Sequence, residues 1–305
     1  MTDLPSSSLK DQTVVIFGGT SGIGLAAAQQ AHAAGGKVIV IGLGAAGAER
    51  VATENGFAGW RSADVTKPET IAAALADIPH VDHLVLLAGS FVAGKIFAAD
   101  VNHLRRAFDE RIWAAVHVLR SLGSRIAADG SVTFISGALA DRPNAYGTAV
   151  LAAASAAMEA FARGLALELA PLRVNTLSPG TINTPLLART LGDGRDDYVA
   201  ALKDKLPLHR LGTAQEAGNA VVFLMSNRFM NGETLHIDGG AMLAGSRLCA
   251  AALHAAARPE GQNRRRRRER ARSSCSFRSY VVAASVTSFA HASRSWNDQV
   301  HTPQH

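Results

Sequence analysis

Cysteine and long apolar runs are scarce in this 305-residue chain. Its two cysteines, Cys249 and Cys275, both lie in the last fifth of the sequence, so the preceding part has no thiol to form a disulfide bond. The sequence contains no run of about eighteen apolar residues that would indicate a membrane span. The first residues lack the basic start and the apolar stretch of a signal peptide. These absences predict a globular, cytoplasmic protein that does not enter a membrane.

Positive charge is concentrated at one end of the chain. The formal net charge is +6, but residues 247–305 contain eleven arginines and only three acidic residues, which leaves the preceding part at −2. Five consecutive arginines begin at Arg264 and end at Arg268. We expect residues 245–305 to form a disordered, solvated tail that is dispensable for folding. Weak polyanion binding by the arginine run and a shifted reading frame are the alternatives.

The stretch from Val14 to Gly24 reads VVIFGGTSGIG, and Leu25 and three alanines follow it. Its first residues are typical of a strand buried on both faces, and the residues beyond Gly24 favour a helix. Glycine suits the turn between them because it adopts a positive φ and lets backbone N–H groups approach a pyrophosphate. The pattern predicts a dinucleotide site. A glycine turn joining any strand to a helix is the alternative.

Short apolar segments alternate with helical segments along residues 13–244. This alternation predicts an α/β fold with a doubly wound parallel sheet of about seven strands in one domain, after a polar lead-in at residues 1–12. The cofactor cleft should lie at the carboxyl ends of the strands near Val14 and His83. One long helix is predicted over residues 101–122, and capping boxes are predicted to begin at Thr66 and Thr213.

The end of the second predicted strand bears on the choice of cofactor. In dinucleotide-binding folds an acidic residue there holds the ribose 2′-hydroxyl of NAD, and a nearby arginine accommodates the 2′-phosphate of NADP. This strand instead ends in Gly42, Leu43 and Gly44, and the nearest cation, Arg50, is interpreted as a surface residue. The missing acid favours NADP somewhat over NAD.

Several ordered motifs resemble those of the short-chain dehydrogenase/reductase family. They are GGTSGIG at residues 18–24, ADV at 63–65, AG at 88–89, LALELAPLRVNTLSPGTINTP at 165–185 and GETLHIDGG at 232–240. The resemblance covers residues 9–243 and implies a Rossmann-like fold, an NADP or NAD cofactor and a small-molecule substrate. It places the cofactor contacts at Gly18, Ser21, Gly22, Ile23, Gly24, Asp64, Val65, Ala88, Gly89, Pro179, Gly180, Ile182 and Thr184.

The resemblance fails at the catalytic pair of the family, a tyrosine followed four residues later by a lysine. When the family's catalytic helix is aligned with this sequence at the motif LALELAP, which begins at Leu165, Leu151 falls at the tyrosine position and Ser155 at the lysine position. In the family the tyrosine exchanges a proton with the reacting oxygen while the lysine lowers its pKa. Leucine cannot perform that step.

Three other residues are therefore the candidate catalytic groups. Ser136 ends the fifth predicted strand, where the family has a serine, although Gly137 is the alternative occupant of that position. Arg111 falls at about the position of the family's catalytic asparagine. Tyr146 is the nearest tyrosine, and packing or surface exposure is the alternative interpretation of its side chain.

The sequence leaves two functions open. The first is a divergent NADP(H)-dependent oxidoreductase in which Ser136 and Arg111 polarise the reacting oxygen while Tyr146 or a water carries the proton. The second is a cofactor-binding protein without catalysis, acting as a sensor or assembly partner. The resemblance also implies a homodimer or homotetramer built on the two long helices around Arg111 and Met158.

Overall fold

The structure is a computed structural model that describes residues 9–244. Most of the predicted lead-in and the whole predicted tail, including the run from Arg264 to Arg268, lie outside the described residues. The expectations for disorder and polyanion binding therefore stay predictions.

Nine strands are present in the described part of the chain, and they form two sheets. They are β1 (Thr13–Phe17), β2 (Lys37–Gly42), β3 (Gly59–Ser62), β4 (Val81–Leu86), β5 (Ile126–Ile135), β6 (Arg173–Pro179), β7 (Ile182–Asn183), β8 (Gly212–Thr213) and β9 (Thr234–Ile237). The main sheet has seven strands in the order β3-β2-β1-β4-β5-β6-β9, and all its pairings are parallel. The predicted doubly wound parallel sheet is confirmed.

Helices cover both faces of this sheet. They are α1 (Gly22–Ala33), α2 (Ala45–Asn55), α3 (Pro68–Leu75), α4 (Val101–Phe108), α5 (Ala114–Leu122), α6 (Ala149–Glu168), α7 (Pro185–Leu191), α8 (Arg195–Lys203) and α9 (Ala214–Ser226). One apolar core lies between the sheet and α3, α5 and α6, and a second lies between the sheet and α1, α2 and α9. Short strands β7 and β8 pair separately, beside the end of β6.

Strand β1 shows why the first apolar run has no polar alternation. Val14, Val15, Ile16 and Phe17 are all fully buried. Val15 and Phe17 join the core beneath α5 and α6, whereas Val14 and Ile16 join the core beneath α1 and α9. A central parallel strand needs apolar side chains on both faces because helices cover both.

The predicted helix over residues 101–122 is interrupted. A π-helical turn, Asp109–Trp113, separates α4 from α5. Such turns insert one extra residue into a helix and are frequent at functional sites. Arg111, a candidate catalytic residue, lies at the centre of this turn.

One predicted capping box is confirmed and the other is wrong. Thr213 and Glu216 form both reciprocal hydrogen bonds at the start of α9. Thr66 does not cap α3: its hydroxyl donates to Asp64 Oδ1 at 2.7 Å, and the N-cap is Lys67 without a side-chain bond. Asp64, near the start of the connection between β3 and α3, competes for the Thr66 hydroxyl, because aspartate accepts hydrogen bonds from residues two positions on.

Helix α6 has the length and the apolar composition of a membrane-spanning helix. In this fold eight of its twenty residues are buried against the sheet and neighbouring helices. A core helix of an α/β domain meets the same criteria, because it is covered on more than one side.

A buried histidine lies under the amino-terminal edge of the sheet. His83 on β4 is 4% exposed, with Nδ1 2.8 Å from Ser131 Oγ and Nε2 3.1 Å from Gln12 Oε1. A neutral ring satisfies both contacts, by accepting from the serine and donating to the glutamine. Burial, and next the positive charge of Arg173, lower the pKa of His83 to about 4.

We expect His83 to make the fold sensitive to mild acid. The unfolded chain binds a proton near pH 6.5 and the folded chain only near pH 4, so the stability contributed by the neutral ring is lost as pH falls between these values. The loss is at most about 3 kcal/mol. Replacing His83 with glutamine should flatten the pH dependence of the unfolding free energy, measured by urea denaturation from pH 7 to 4.5. The matched control is His80→Gln, whose side chain is 55% exposed; an equal slope in both variants would contradict a neutral His83.

Candidate active site

A cleft of about 510 Å³ opens at the carboxyl ends of β1 and β4. These two strands are neighbours in the sheet, and the chain leaves them in opposite directions along it, which is where open α/β sheets bind ligands. Ten of the predicted cofactor contacts line the cleft: Gly18, Ser21, Gly22, Ile23, Gly24, Asp64, Val65, Ala88, Gly89 and Thr184.

The floor of the cleft is a turn that only glycine can form. Gly18 has a φ of +79°, and a Cβ there would lie 2.8 Å from the backbone nitrogen of Ala88. A Cβ on Gly24 would lie 2.1 Å from the carbonyl oxygen of Gly18. Across the cleft, Thr184 lies 3.4 Å from the position of a Cβ on Gly22. The absence of these side chains lets the turn close on itself and on the end of β4, so that its backbone lines the cleft.

The amino terminus of α1 points into this space. Its N-cap, Ser21, makes no side-chain capping bond, and the first turn contains no acidic residue. The first N–H groups of the helix and its dipole therefore present partial positive charge to the cleft. This arrangement fits a pyrophosphate, so the residues present are suited to a dinucleotide.

Asp64 and Leu43 lie at another part of the cleft. The Thr66 hydroxyl donates to the Asp64 carboxylate and lowers its pKa, so this carboxylate is charged at neutral pH. Leu43, after β2, is 76% exposed. Arg50 forms an ion pair with Glu54 on the same helix, at 3.0 Å, which agrees with its interpretation as a surface residue.

Three predicted cofactor contacts are absent from the residues that line the cleft. Pro179 pairs with Ile237 at the end of the β6–β9 ladder, and its carbonyl accepts from Ala138 N. Gly180 packs against Asp238, where a Cβ would lie 2.8 Å from the Asp238 Cα. Ile182 is 8% exposed at the start of β7. Pro179 and Gly180 join the end of β6 to β9, and Ile182 pairs with Gly212 of β8.

A carboxylate that the sequence did not single out lies in the inner wall. Glu110 is 6% exposed and lines the cleft. Its Oε2 accepts from both the backbone nitrogen and the hydroxyl of Ser90, each at 2.6 Å, and its Oε1 accepts from Arg106 at 2.6 Å. These bonds fix the loop after Gly89. The sequence contained one indication of this carboxylate, because Glu110 directly precedes Arg111, a candidate catalytic residue.

Arg111 lies behind Gly89. Its guanidinium carbon is 3.6 Å from the position of a Cβ on Gly89, and it donates to the carbonyl oxygens of Ala107 at 3.3 Å and Ser90 at 3.1 Å. Its Nε is buried and lacks a hydrogen-bond partner among the described residues. Burial lowers the pKa of Arg111 below its ordinary value, and the carboxylate of Glu110 offsets part of that shift. One N–H of a buried cation is thus left without an acceptor.

Ser136 and Tyr146 do not line the cleft. Ser136 directly follows Ile135, which does, but the Ser136 hydroxyl donates to Glu159 Oε1 on α6 at 2.7 Å. Tyr146 lies in the turn before α6, where its backbone nitrogen donates to Asn144 Oδ1 at 2.9 Å. Arg111 does not line the cleft either: it lines a small pocket beside it, which shares Glu110 and Ile135 with the cleft wall. The structure therefore leaves all three catalytic candidates beside the cleft.

The positions expected for the family's tyrosine and lysine are part of the protein interior. Leu151 is 3% exposed and packs in a small apolar cluster with Val92, Leu104 and Ala107. Ser155, one turn along α6, is also 3% exposed. Leu151 therefore makes a core contact.

Comparisons with known proteins agree with this architecture. A family model described as "Enoyl-(Acyl carrier protein) reductase" matches residues 18–242. The 2-(S)-hydroxypropyl-CoM dehydrogenase 3 of Xanthobacter autotrophicus is 32% identical over 77% of this chain and 98% of its own length.

Solved structures give the same result. A small-chain dehydrogenase in complex with NADPH is 31% identical, with a TM-score of 0.66 over 77% of this chain and 100% of that one. L-sorbose reductase from Gluconobacter frateurii, complexed with NADPH and L-sorbose, is 25% identical, with a TM-score of 0.71 over 78% of this chain and 98% of that one. With its glycine turn, its parallel sheet and these relatives, the chain belongs to the short-chain dehydrogenase/reductase family of oxidoreductases.

Proposed function

We propose that this protein is an NADP(H)-dependent oxidoreductase that reduces a carbonyl group, or oxidises the corresponding alcohol, with a non-standard active site. The observation that carries the proposal is the cleft, whose glycine turn and helix terminus fit a dinucleotide. The NADPH complexes among its structural relatives support the same cofactor. A bound nicotinamide supplies the hydride in reduction and accepts it in oxidation.

Arg111 is the proposed electrostatic group. As hydride reaches a carbonyl carbon, negative charge develops on the oxygen, and a preorganised cation stabilises that charge. Its buried Nε has a hydrogen to donate and no acceptor among the described residues. The bonds to Ala107 and Ser90 hold the guanidinium in place.

Ser136 and Tyr146 are proposed for the remaining steps, Ser136 to polarise the oxygen and Tyr146, or a water, to carry the proton. A serine hydroxyl has one proton, and in this structure it is donated to Glu159. Polarisation by Ser136 therefore requires a rotation of that hydroxyl toward the substrate.

A second candidate is a cofactor-binding protein without catalysis, acting as a sensor or assembly partner. The specific observation in its favour is the incorporation of Leu151 into an apolar cluster. Loss of general acid–base catalysis slows a reaction by about 10²- to 10⁴-fold without preventing it. The preserved cleft therefore keeps the oxidoreductase as the first proposal.

A homodimer or homotetramer in the cytoplasm is part of the proposal. Arg111 and Met158 themselves face inward, Met158 being 2% exposed. On the same helical segments, Trp113 is 54% exposed and Leu167 is 84% exposed. Large apolar side chains on a surface support burial by a second copy of the chain.

Cofactor binding should depend on the close approach at Gly24. In Gly24→Ala the new Cβ would meet a backbone carbonyl, so the turn must open. We expect a loss of stability of about 1–3 kcal/mol and a weaker affinity for NADPH. Gly47→Ala is the control, because a Cβ at that helical position has open space and should stabilise α2 by about 0.5–1 kcal/mol. Calorimetric titration with all four cofactor forms tests the wild type, and no binding at millimolar concentration would remove the proposal.

Preference for NADP should respond to a charge at the end of β2. Leu43→Asp introduces the acid that would repel a 2′-phosphate and accept a bond from a 2′-hydroxyl. We expect the affinity for NADPH to fall by about tenfold, or about 1.4 kcal/mol, while the affinity for NADH is retained or improved. Leu243→Asp, at a position 85% exposed and outside the cleft, is the matched control. An equal effect on both cofactors would count against a phosphate at this site.

Activity is tested by NADPH consumption against a broad panel of carbonyl compounds. Arg111→Met should lower kcat/KM by about 10²- to 10³-fold, the usual effect of removing an oxyanion donor. Ser136→Ala and Tyr146→Phe test the other two roles, and Ser226→Ala, at the distant end of α9, is the control. Turnover that survives all three substitutions would refute the assigned roles. Tight NADPH binding without turnover of any compound would favour the second candidate.

A further inference from the structure

A second polar cluster lies outside the dinucleotide cleft, on the sheet face that α6 covers. It contains Asp141 from the loop after β5, Glu159 from α6 and His236 from β9. One ligand atom from each residue lies within 4.8 Å of the other two. None of the three lines the dinucleotide cleft.

The three side chains lie close to one another, and two of them carry carboxylates. His236 Nε2 lies 3.2 Å from Asp141 Oδ2, and the Glu159 carboxylate is held by the Ser136 hydroxyl. Within residues 9–244, neither carboxylate forms an ion pair with a lysine or arginine. Two carboxylates this close repel each other unless a cation neutralises them.

An independent observation points to a ligand at the same place. Ser178 is fully buried, and its Oγ has no hydrogen-bond partner in the described part of the chain. In the strand register, Ser178 on β6 lies beside His236 on β9. On the other side of Ser178 lies Ser136, because the residues that precede these two serines, Ile135 and Leu177, are paired. Leu177 and Leu235 face the opposite core, so Ser178 and His236 share the face beneath α6. A buried polar atom without a partner is costly, and a water or ion beside His236 would supply one.

The donor set selects the class of ion. One imidazole and two carboxylates suit zinc and similar divalent transition metals, whereas calcium and magnesium favour oxygen ligands alone. Metal–ligand distances of about 2.0–2.2 Å in a tetrahedral site place the ligand atoms about 3.3–3.5 Å apart. The separation of 3.2 Å between Asp141 and His236 is close to that value, and Glu159 lies within 4.8 Å of both.

We propose that Asp141, Glu159 and His236 bind a divalent transition-metal ion of the zinc class. Three protein ligands leave a fourth position for water, which gives the buried Ser178 hydroxyl a possible partner. The ion would join the loop after β5 and the following helix, α6, to the distant strand β9. The proposal does not rest on the proposed oxidoreductase activity.

The test uses the full chain, without an added histidine tag, after removal of metals with a chelator. Calorimetric titration with zinc chloride should show one site per chain, and the melting temperature should rise with bound zinc. Cobalt(II) in place of zinc should give visible absorption bands from a low-coordinate site with a nitrogen ligand. Magnesium should bind far more weakly than zinc.

Variants separate this site from adventitious binding. His236→Gln and Asp141→Asn should each weaken zinc binding by about 10- to 100-fold or more and abolish the cobalt bands. Both side chains are partly exposed, so these variants should fold, which the melting curve verifies. His103→Gln, an exposed histidine whose ring contacts Ala93 O, is the control and should bind as the wild type does. Absence of a stoichiometric site, or unchanged affinity in both variants, would overturn the proposal.

Discussion

The architecture depends on how closely the backbone can approach itself at the first turn. Gly24 leaves no room for a Cβ against the carbonyl of Gly18, and Gly18 leaves none against the backbone of Ala88. The first contact fixes α1 relative to β1, and the second joins that turn to the end of β4. A third contact of this kind joins α1 to α9, because a Cβ on Gly218 would lie 2.8 Å from the backbone carbon of Ala26. Side chains are excluded at these points, so the shape of the first turn and the packing of α1 have the same cause.

The inner wall of the cleft depends on charge that is buried and neutralised. Glu110 accepts from Ser90 and Arg106, while the neighbouring Arg111 donates to the other side of the same loop through Ser90 O. A buried charge is tolerated only with such partners. The π-helical turn at Asp109–Trp113 offers a physical reason for this arrangement, since the extra residue changes which side chains face inward. Arg111, which the resemblance places at about the position of the family's asparagine, thus has a carboxylate at its side.

The sheet could be predicted from the sequence, because each central strand is a short apolar run and each connection contains a turn signal. The glycine turn also located the cleft, since φ > 0 and close approach are properties of the residue itself. The π-helical turn could not be predicted, as residues 101–122 keep one amphipathic pattern through it. Capping at Thr66 was predicted wrongly because local spacing does not show that Asp64 competes for its hydroxyl. The roles of Ser136 and Tyr146 remain predictions.

The cluster of Asp141, Glu159 and His236 shows why some sites are invisible in a sequence. His236 and Asp141 are separated by 95 positions and meet only because β9 and β5 flank β6. The two proposed sites also share one atom. The Ser136 hydroxyl has a single proton, and a substrate oxygen and the Glu159 carboxylate compete for it. A cation on Glu159 would reduce the negative charge that attracts this proton, so metal at the cluster would favour rotation of Ser136 toward the cleft. The chemistry of the cleft and the electrostatics of the cluster would then be coupled through one hydroxyl group.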